Sequence, residues 1–314
     1  MSKHTQLSVI IPVTERERYD DVHELYFAYK RGVEKIGVAY EFIFILDGEF
    51  PQVLEKLEKL VNEGEKIKIT KLGKWFGEST TLMVGFEQAE GELILTLPAY
   101  QQIEVDEIPK LYKALPGHDL VIGCRWPRID NFVNRIQSKM FHRIVKSLTG
   151  LRFKDLGSGV RLFRRAVIKE ITLYGDQHRF LPLFASKYGF RIKEVDVQQS
   201  KQDVHRRVYP IGIYIRRFLD ILSVYFLIKF TKKPLRFFGL SGAFLSFLGI
   251  LLSLYLVVQR VFFGIALADR PIILLGLFLI ILGIQMFAIG LIGEIIIFTH
   301  AKELKEYRVE KVVN

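Results

Sequence analysis

Side chains that can do chemistry follow the ends of predicted strands. Asp47 comes directly after the predicted strand 41–46, and Pro98 and Tyr100 come after the apolar run 93–97. In an open α/β sheet, the loop beyond the carboxyl end of a strand usually holds the ligand. These loops are therefore the first candidates for a binding site, and Asp47 is either a ligand-binding carboxylate or a plain turn residue.

Three arginines supply the cationic chemistry, namely Arg125, Arg128 and Arg161. A guanidinium group is a planar fork that matches phosphate oxygens, so these residues favour a phosphate-containing ligand. The alternative for Arg125 and Arg128 is a solvated basic loop. Asp155 lies between Arg128 and Arg161 in sequence, and it either hydrogen-bonds the ligand or caps the turn before Gly157.

Strands and helices alternate along the first two thirds of the chain. Predicted strands cover 7–13, 41–46, 66–72, 93–97, 120–123 and 192–197, and a short loop and strand are predicted over 157–163. Predicted helices cover 20–37, 51–63, 78–89, 131–148 and 177–188, with another opening at 106–109. This alternation predicts a doubly wound, mainly parallel α/β sheet. His142 and His178 lack metal-ligand spacing and are interpreted as structural.

Net charge and cysteine content limit the classes of binding partner and of protein that fit this chain. The formal net charge is +11, which suits an anionic membrane surface or a phosphorylated ligand. Nothing resembles a nucleic-acid module, so nucleic acid is not an expected partner. The single cysteine, Cys124, excludes an intrachain disulfide framework. Residues 1–6 run straight into a strand pattern, so no secretory signal peptide is expected, and a homo-oligomer remains open.

Two uncharged segments, 237–258 and 272–293, are 22 residues long each. At about 1.5 Å of rise per residue, each can cross a hydrocarbon core of about 30 Å. Lys and Arg are dense before the first segment and after the second, which predicts that both termini are cytoplasmic. Residues 211–233 mix basic and large apolar side chains, which indicates an interfacial helix or, alternatively, a buried soluble one.

Several short motifs follow one another along the chain, and their order and spacing are informative. They are 8–13, Asp47-Gly48, Phe76-Gly77 with Gly85, Arg125 with Arg128, Asp155 with 159–162, 292–294 and 306–309. Together with the two apolar segments, they resemble the family 2 glycosyltransferases of GT-A fold, specifically the polyprenyl-phosphate hexosyltransferases. The resemblance covers nearly the whole chain. It implies a cytoplasmic GT-A-like domain over 1–210, juxtamembrane helices over 211–234, a two-helix transmembrane hairpin over 235–299 and a cytoplasmic tail over 300–314.

The resemblance also implies roles for single residues. The donor nucleotide sugar is expected at Pro12, Asp47, Gly48, Pro98, Tyr100 and Arg161; catalysis is expected of Gln102, Arg125, Arg128 and Asp155; and the lipid phosphate is expected at Arg206, Arg207 and Tyr209. For the last three, membrane-surface charge is the alternative. Tyr100 either stacks on a sugar or closes the space that a metal ion occupies in the family.

The chain departs from the family where that family holds a divalent metal. Pro98 and Tyr100 replace its two metal-binding aspartates, and Gln102 alone survives at a third metal-proximal position. Magnesium and manganese prefer carboxylate oxygens beside substrate phosphates, so no metal cofactor is expected here. Leu46 and Glu49 also depart from the nucleoside-binding motif.

Two functions follow from this pattern. The first is transfer of a hexose from a nucleotide sugar to a polyprenyl phosphate at the cytoplasmic leaflet. The second is a glycosyltransferase-like protein that has lost catalysis and serves as a binding or scaffold partner in membrane glycan assembly. The second hypothesis predicts no affinity for any nucleotide sugar.

Overall fold

A computed structural model describes residues 5–14, 19–128, 150–171, 177–203, 233–264 and 271–300, together with 143, 145, 146, 173, 219, 222 and 223. The chain divides into two compact units, Met1–Val224 and Tyr225–Asn314. Most of the predicted helices 131–148 and 211–233, and of the predicted tail 300–314, lies outside the described residues.

The first unit is built on a seven-stranded sheet in the order β3-β2-β1-β4-β6-β5-β7. The strands are β1 (Leu7–Thr14), β2 (Tyr40–Asp47), β3 (Ile67–Leu72), β4 (Leu93–Thr96), β5 (Leu120–Arg125), β6 (Arg161–Arg164) and β7 (Ile192–Val197). β6 runs antiparallel to β4 and β5, whereas the other pairings are parallel. The predicted mainly parallel α/β sheet is confirmed.

Helices cover both faces of this sheet: α1 (Val22–Glu34), α2 (Pro51–Asn62), α3 (Glu78–Gln88), α4 (Ile108–Ala114), α5 (Arg165–Glu170) and α6 (Leu181–Lys187). Along β2, Phe42 and Phe44 join one core cluster with α1, α2 and α4. Ile43 and Ile45 join a second cluster with α3 and α6. Because both faces are buried, the strands are continuously apolar rather than alternating.

One predicted helix is divided in the structure, and one helix was not predicted. The predicted helix 177–188 is divided into a 3-10 turn, Gln177–Phe180, and α6, which begins at Leu181. Pro182 has no backbone N–H to donate and suits the first turn of a helix, so a new helix starts there. Of the predicted loop and strand over 157–163, the strand begins at Arg161 and ends at Arg164. The helix α5 was not predicted.

The second unit contains α7 (Pro234–Phe263) and α8 (Pro271–His300), each long and apolar enough to cross a membrane. Small residues line the contact between the two helices. A Cβ added to Gly249 would lie 2.7 Å from the Gly276 carbonyl oxygen, and one added to Gly276 would lie 2.7 Å from Ser253 Oγ. The helices therefore pack at close backbone distance, as small residues allow in membranes.

Glu294 near the end of α8 has a specific partner in α7. Its carboxylate accepts the backbone N–H of Leu235, in the first turn of α7, at 3.3 Å. The first N–H groups of a helix lack intrahelical acceptors, so this carboxylate satisfies one of them.

Candidate functional site

The loop after β4 is held by Tyr29, a buried residue of α1. The Tyr29 hydroxyl lies 3.0 Å from the Pro98 carbonyl oxygen and 2.8 Å from the Tyr100 carbonyl oxygen. Burial raises the pKa of Tyr29 well above its usual range, so the hydroxyl keeps its proton and remains a donor. The backbone is thereby fixed at two positions where donor contacts were predicted.

Gln102 joins this loop to the segment that precedes β6. Its Nε2 donates to the Tyr100 hydroxyl oxygen at 2.9 Å, and its Oε1 accepts the Gly159 N–H at 2.9 Å. A Cβ on Gly159 would lie 2.8 Å from Pro98 Cγ, which explains why glycine stands there. The predicted residues Pro98, Tyr100 and Gln102 thus form one packed corner with Gly159.

Arg125, the last residue of β5, is a buried guanidinium between two buried carboxylates. Its Nε and Nη2 donate to the two oxygens of Asp155 at 2.7 and 2.9 Å, and its Nη1 donates to Asp203 Oδ2 at 3.2 Å. Burial alone lowers the pKa of Arg125, but the two carboxylates outweigh burial and raise it. Arg125 is therefore charged and engaged by protein partners.

Arg128 is the more accessible of the two predicted catalytic arginines. Its Nη1 lies 3.9 Å from Asp155 Oδ1, and its side chain is 21% exposed, against 8% for Arg125. Burial opposes ionisation of Asp155, but Arg125 and then Arg128 lower its pKa. Asp155 is thus an ionised carboxylate that lies beside both arginines, and Arg128 is the more exposed of the two.

Asp47 shapes the loop that opens α3. Its fully buried carboxylate accepts the backbone N–H groups of Phe76 and Gly77 at 2.7 and 2.9 Å. Gly77 has a φ of 98°, which favours glycine, and it is the residue before the first turn of α3. Asp47 is therefore a structural anchor of the loop 73–77, and its contact with a nucleoside stays a prediction.

Arg161 is buried behind the same edge of the sheet. Its Nη1 donates to the His178 carbonyl oxygen at 2.5 Å and its Nη2 to the Leu156 carbonyl oxygen at 3.1 Å. Burial lowers the pKa of Arg161 to about 10. Its Nε is buried without a hydrogen-bond partner in the described part of the chain. Arg161 thus supports the backbone around the site, and direct donor contact stays a prediction.

Among the remaining predicted residues, Pro12 and Gly48 are buried in β1 and directly after β2. Arg206, Arg207 and Tyr209 lie outside the described residues. Asp203, which contacts Arg125, was not predicted. The one signal for it was its place in the segment that follows the predicted strand 192–197.

Residues 8–172 match the protein family described as Glycosyl transferase family 2. The chain belongs to this family. Two relatives match this family 2 glycosyltransferase along most of its length. The dodecaprenyl-phosphate galacturonate synthase of Rhizobium johnstonii is 28% identical over 95% of this chain and 89% of its own. The undecaprenyl-phosphate 4-deoxy-4-formamido-L-arabinose transferase of Proteus mirabilis is 29% identical over 99% of this chain and 95% of its own.

Solved structures establish the GT-A fold of this family 2 glycosyltransferase. Glucosyl-3-phosphoglycerate synthase from Mycobacterium tuberculosis, solved with Mn²⁺ and UDP, aligns with a TM-score of 0.52 and 13% identity over 71% of this chain and 80% of its own. Mannosyl-3-phosphoglycerate synthase from Rubrobacter xylanophilus aligns with a TM-score of 0.52 and 14% identity over 71% of this chain and 74% of its own. The predicted GT-A fold is confirmed.

The residues at the corner of Pro98, Tyr100 and Gln102 do not fit a divalent cation. Pro98 has no side-chain donor atom, and the Gln102 oxygen already accepts the Gly159 N–H. Both oxygens of Asp155 accept hydrogen bonds from Arg125. Within the described ranges, no three His, Cys, Asp or Glu side chains come together as a metal-binding group. A hard cation needs several oxygen ligands, which this arrangement does not supply.

Proposed function

We propose that this family 2 glycosyltransferase transfers a sugar from a nucleotide sugar to a polyprenyl phosphate at a membrane. The observation that carries the proposal is the length of the match. Two relatives named for dodecaprenyl- and undecaprenyl-phosphate substrates cover 95% and 99% of this chain. The match therefore includes both the GT-A domain and the two long apolar helices.

The proposed reaction is a displacement at the anomeric carbon. An oxygen of the lipid phosphate forms the new bond, while the bond to the nucleoside diphosphate breaks and that group leaves with the electron pair. The acceptor phosphate is already an anion near neutral pH, so no strong general base is needed. The demand on the protein is stabilisation of the negative charge that develops on the leaving diphosphate.

We assign that electrostatic role to Arg128, supported by its partial exposure beside Asp155. Asp155, which forms a buried ion pair with Arg125, holds Arg128 in place. The acceptor phosphate is proposed to bind at Arg206, Arg207 and Tyr209, which follow Asp203 in sequence. The two relatives are named for different sugars, a galacturonate and a formamido-arabinose, so the predicted hexose stays a prediction.

The test is a transfer assay with purified protein in detergent, undecaprenyl phosphate and a panel of nucleotide sugars. We expect a glycolipid product with at least one donor. Arg128→Ala should lower kcat/KM about tenfold or more, because one charged hydrogen bond contributes about 1.5–3 kcal/mol. Arg31→Ala, the same substitution on the exposed side of α1, is the control.

Calorimetric titration with the same donors separates the enzyme from the scaffold alternative. Micromolar binding of a nucleotide sugar supports the enzyme. Absence of both binding and turnover with every donor, with and without added cation, favours the scaffold.

We further propose that donor binding depends little on Mg²⁺ or Mn²⁺, although a fold neighbour was solved with Mn²⁺ and UDP. The support is the chemistry of the corner, where proline, tyrosine and glutamine stand and the nearby carboxylates are paired with arginine. Donor affinity measured in EDTA and in millimolar Mn²⁺ should differ less than about threefold, under 1 kcal/mol. A tenfold gain with Mn²⁺ overturns this proposal and directs attention to Gln102, Glu104 and Asp106.

A further inference from the structure

Asp203 lies in the turn after β7 with a fully buried side chain. Its Oδ2 accepts Arg125 Nη1 at 3.2 Å and Gln199 Nε2 at 2.8 Å. The same Gln199 amide lies 3.3 Å from the Asp203 carbonyl oxygen. The carboxylate is therefore held in one orientation before Arg125 is considered, which is the property expected of a positioning group.

The turn that carries Asp203 is tied to the segment that carries Gln102. The Ser200 N–H donates to the Gln102 carbonyl oxygen at 3.1 Å, and the Glu104 N–H donates to the Gln198 carbonyl oxygen at 3.0 Å. Ile103 and Gln199 form an antiparallel bridge. The pairing of segment 102–104 with segment 198–200 therefore fixes the turn that carries Asp203 beside Gln102. From this turn the Asp203 carboxylate accepts a hydrogen bond from Arg125.

Arg125 is consequently fixed along two edges of its guanidinium plane. Asp155 takes Nε and Nη2 in a bidentate pair, and Asp203 takes Nη1. With Asp155 alone, Nη1 would be a buried donor without its carboxylate, and the guanidinium group would be held along one edge only. A bidentate pair braced by a second carboxylate has a single orientation.

We propose that Asp203 is a positioning residue for sugar transfer. It holds Arg125, and through Arg125 it holds Asp155 and Arg128, in the arrangement that the leaving diphosphate requires. This inference rests on the proposed function, because it assigns Asp203 a part in that same site. A small displacement of a charge-stabilising group costs far more in turnover than in ground-state binding.

The test compares Asp203→Ala and Asp203→Asn with Asp196→Asn in the transfer assay. Asp196 on β7 pairs at the surface with Lys154, so its variant makes the same charge change outside the site. Asp203→Ala should lower kcat about tenfold to a hundredfold, because a charged hydrogen bond is lost. Asp203→Asn keeps an acceptor oxygen for Arg125 and should lower kcat roughly fivefold. Asp196→Asn should match the parent.

Donor KM separates positioning from a merely structural role. The nucleoside is expected at the Asp47 loop, whereas the Asp203 side chain hydrogen-bonds to Arg125 and Gln199, so donor KM should change less than about threefold. Turnover is expressed per binding-competent protein, counted by the stoichiometry of donor titration, so partial unfolding cannot imitate the effect. If Asp203→Ala does not fold, Asp203→Asn decides.

Two failures are distinguishable. If the parent is active and both Asp203 variants turn over like Asp196→Asn, the positioning role is overturned and the proposed function stands. If the parent transfers no sugar from any donor, the proposed function is overturned, and the role of Asp203 falls with it.

Discussion

Arg125 is a buried cation that pairs with two buried carboxylates, Asp155 and Asp203. We predict that Arg125→Ala lowers the free energy of unfolding by about 3–5 kcal/mol, the usual cost of removing one partner of a buried pair. This effect must be separated from any loss of donor affinity. Denaturant unfolding followed by tryptophan fluorescence provides the measurement, since Trp75 and Trp126 lie in the first unit.

Lys154→Ala is the control for that measurement. Lys154 pairs with Asp196 at the surface, where both side chains are about half exposed or more. Exposed pairs contribute about 0–1 kcal/mol, so this variant should unfold close to the parent. Equal stabilities for Arg125→Ala and Lys154→Ala would contradict the description of Arg125 as a buried, doubly paired cation.

Glu78, in the first turn of α3, makes the free energy of unfolding depend on pH. Its Oε2 lies 3.1 Å from His178 Nε2. Burial opposes ionisation of Glu78, but His178, Arg179 and Arg161 outweigh burial and lower its pKa from 4.5 to about 2. A lowered carboxylate pKa stabilises the fold fully above the unfolded value of 4.5, and this contribution is lost as pH falls towards 2.

We therefore predict that Glu78→Gln is less stable than the parent at pH 6 and that the difference shrinks as pH falls below 4.5. Urea unfolding midpoints at pH 6, 4.5 and 3 check this. Glu58→Gln, the same change on the exposed face of α2, is the control. If the difference in urea midpoint between Glu78→Gln and the parent stays constant over this pH range, the ion-pair account is contradicted.

Among the elements, the hairpin of α7 and α8 depends on glycine at its contact face. A Cβ on Gly249 would lie 2.7 Å from the Gly276 carbonyl oxygen and 2.9 Å from the Ile280 nitrogen. Both are backbone atoms, so the helices would have to separate. We predict that Gly249→Ala lowers the SDS concentration at which the hairpin unfolds, measured by far-ultraviolet circular dichroism in mixed micelles.

Gly239→Ala is the matched substitution on the same helix. Its Cβ would first meet the flexible end of Leu235 at 3.1 Å, so little backbone movement is needed. Both variants gain the helix propensity of alanine, about 1 kcal/mol over glycine, and only Gly249→Ala adds the backbone clash. If the two variants unfold at the same SDS concentration, close packing at Gly249 does not stabilise the hairpin.

For the chain as a unit, the basic residues that flank the apolar helices predict a topology with both termini cytoplasmic. Cysteine labelling tests it cleanly, because the one native thiol, Cys124, is buried and burial raises its pKa. Ala268→Cys, between the two spans, should react with an impermeant maleimide in intact cells. Lys305→Cys should react only after the membrane is opened.

The reverse labelling pattern would contradict the predicted orientation. Labelling of both positions in intact cells would also contradict it, and would show that the two apolar helices do not form a transmembrane hairpin. The parent chain, which carries Cys124 alone, is the control for background reaction.

Local sequence was sufficient for the fold because its determinants are local. The apolar runs of β1, β2, β4 and β5 have buried faces on both sides, and that pattern is visible within six to eight residues at a time. The two uncharged spans are equally readable, since length and composition alone decide whether a helix can cross a hydrocarbon core. The limits of the element at 177–188 were less readable, because one proline decided where α6 begins.

Only the tertiary structure decided which side chains belong to one site. Arg125 meets Asp155 across 30 residues and Asp203 across 78 residues of sequence, and Asp47 meets the loop before α3 across 29. No local periodicity encodes such pairings, because they depend on how strands and turns come together at the carboxyl edge of the sheet. The sequence therefore determined the class of chemistry, whereas folding determined that Arg125 is braced by two carboxylates and that Arg128 is the arginine more exposed to solvent.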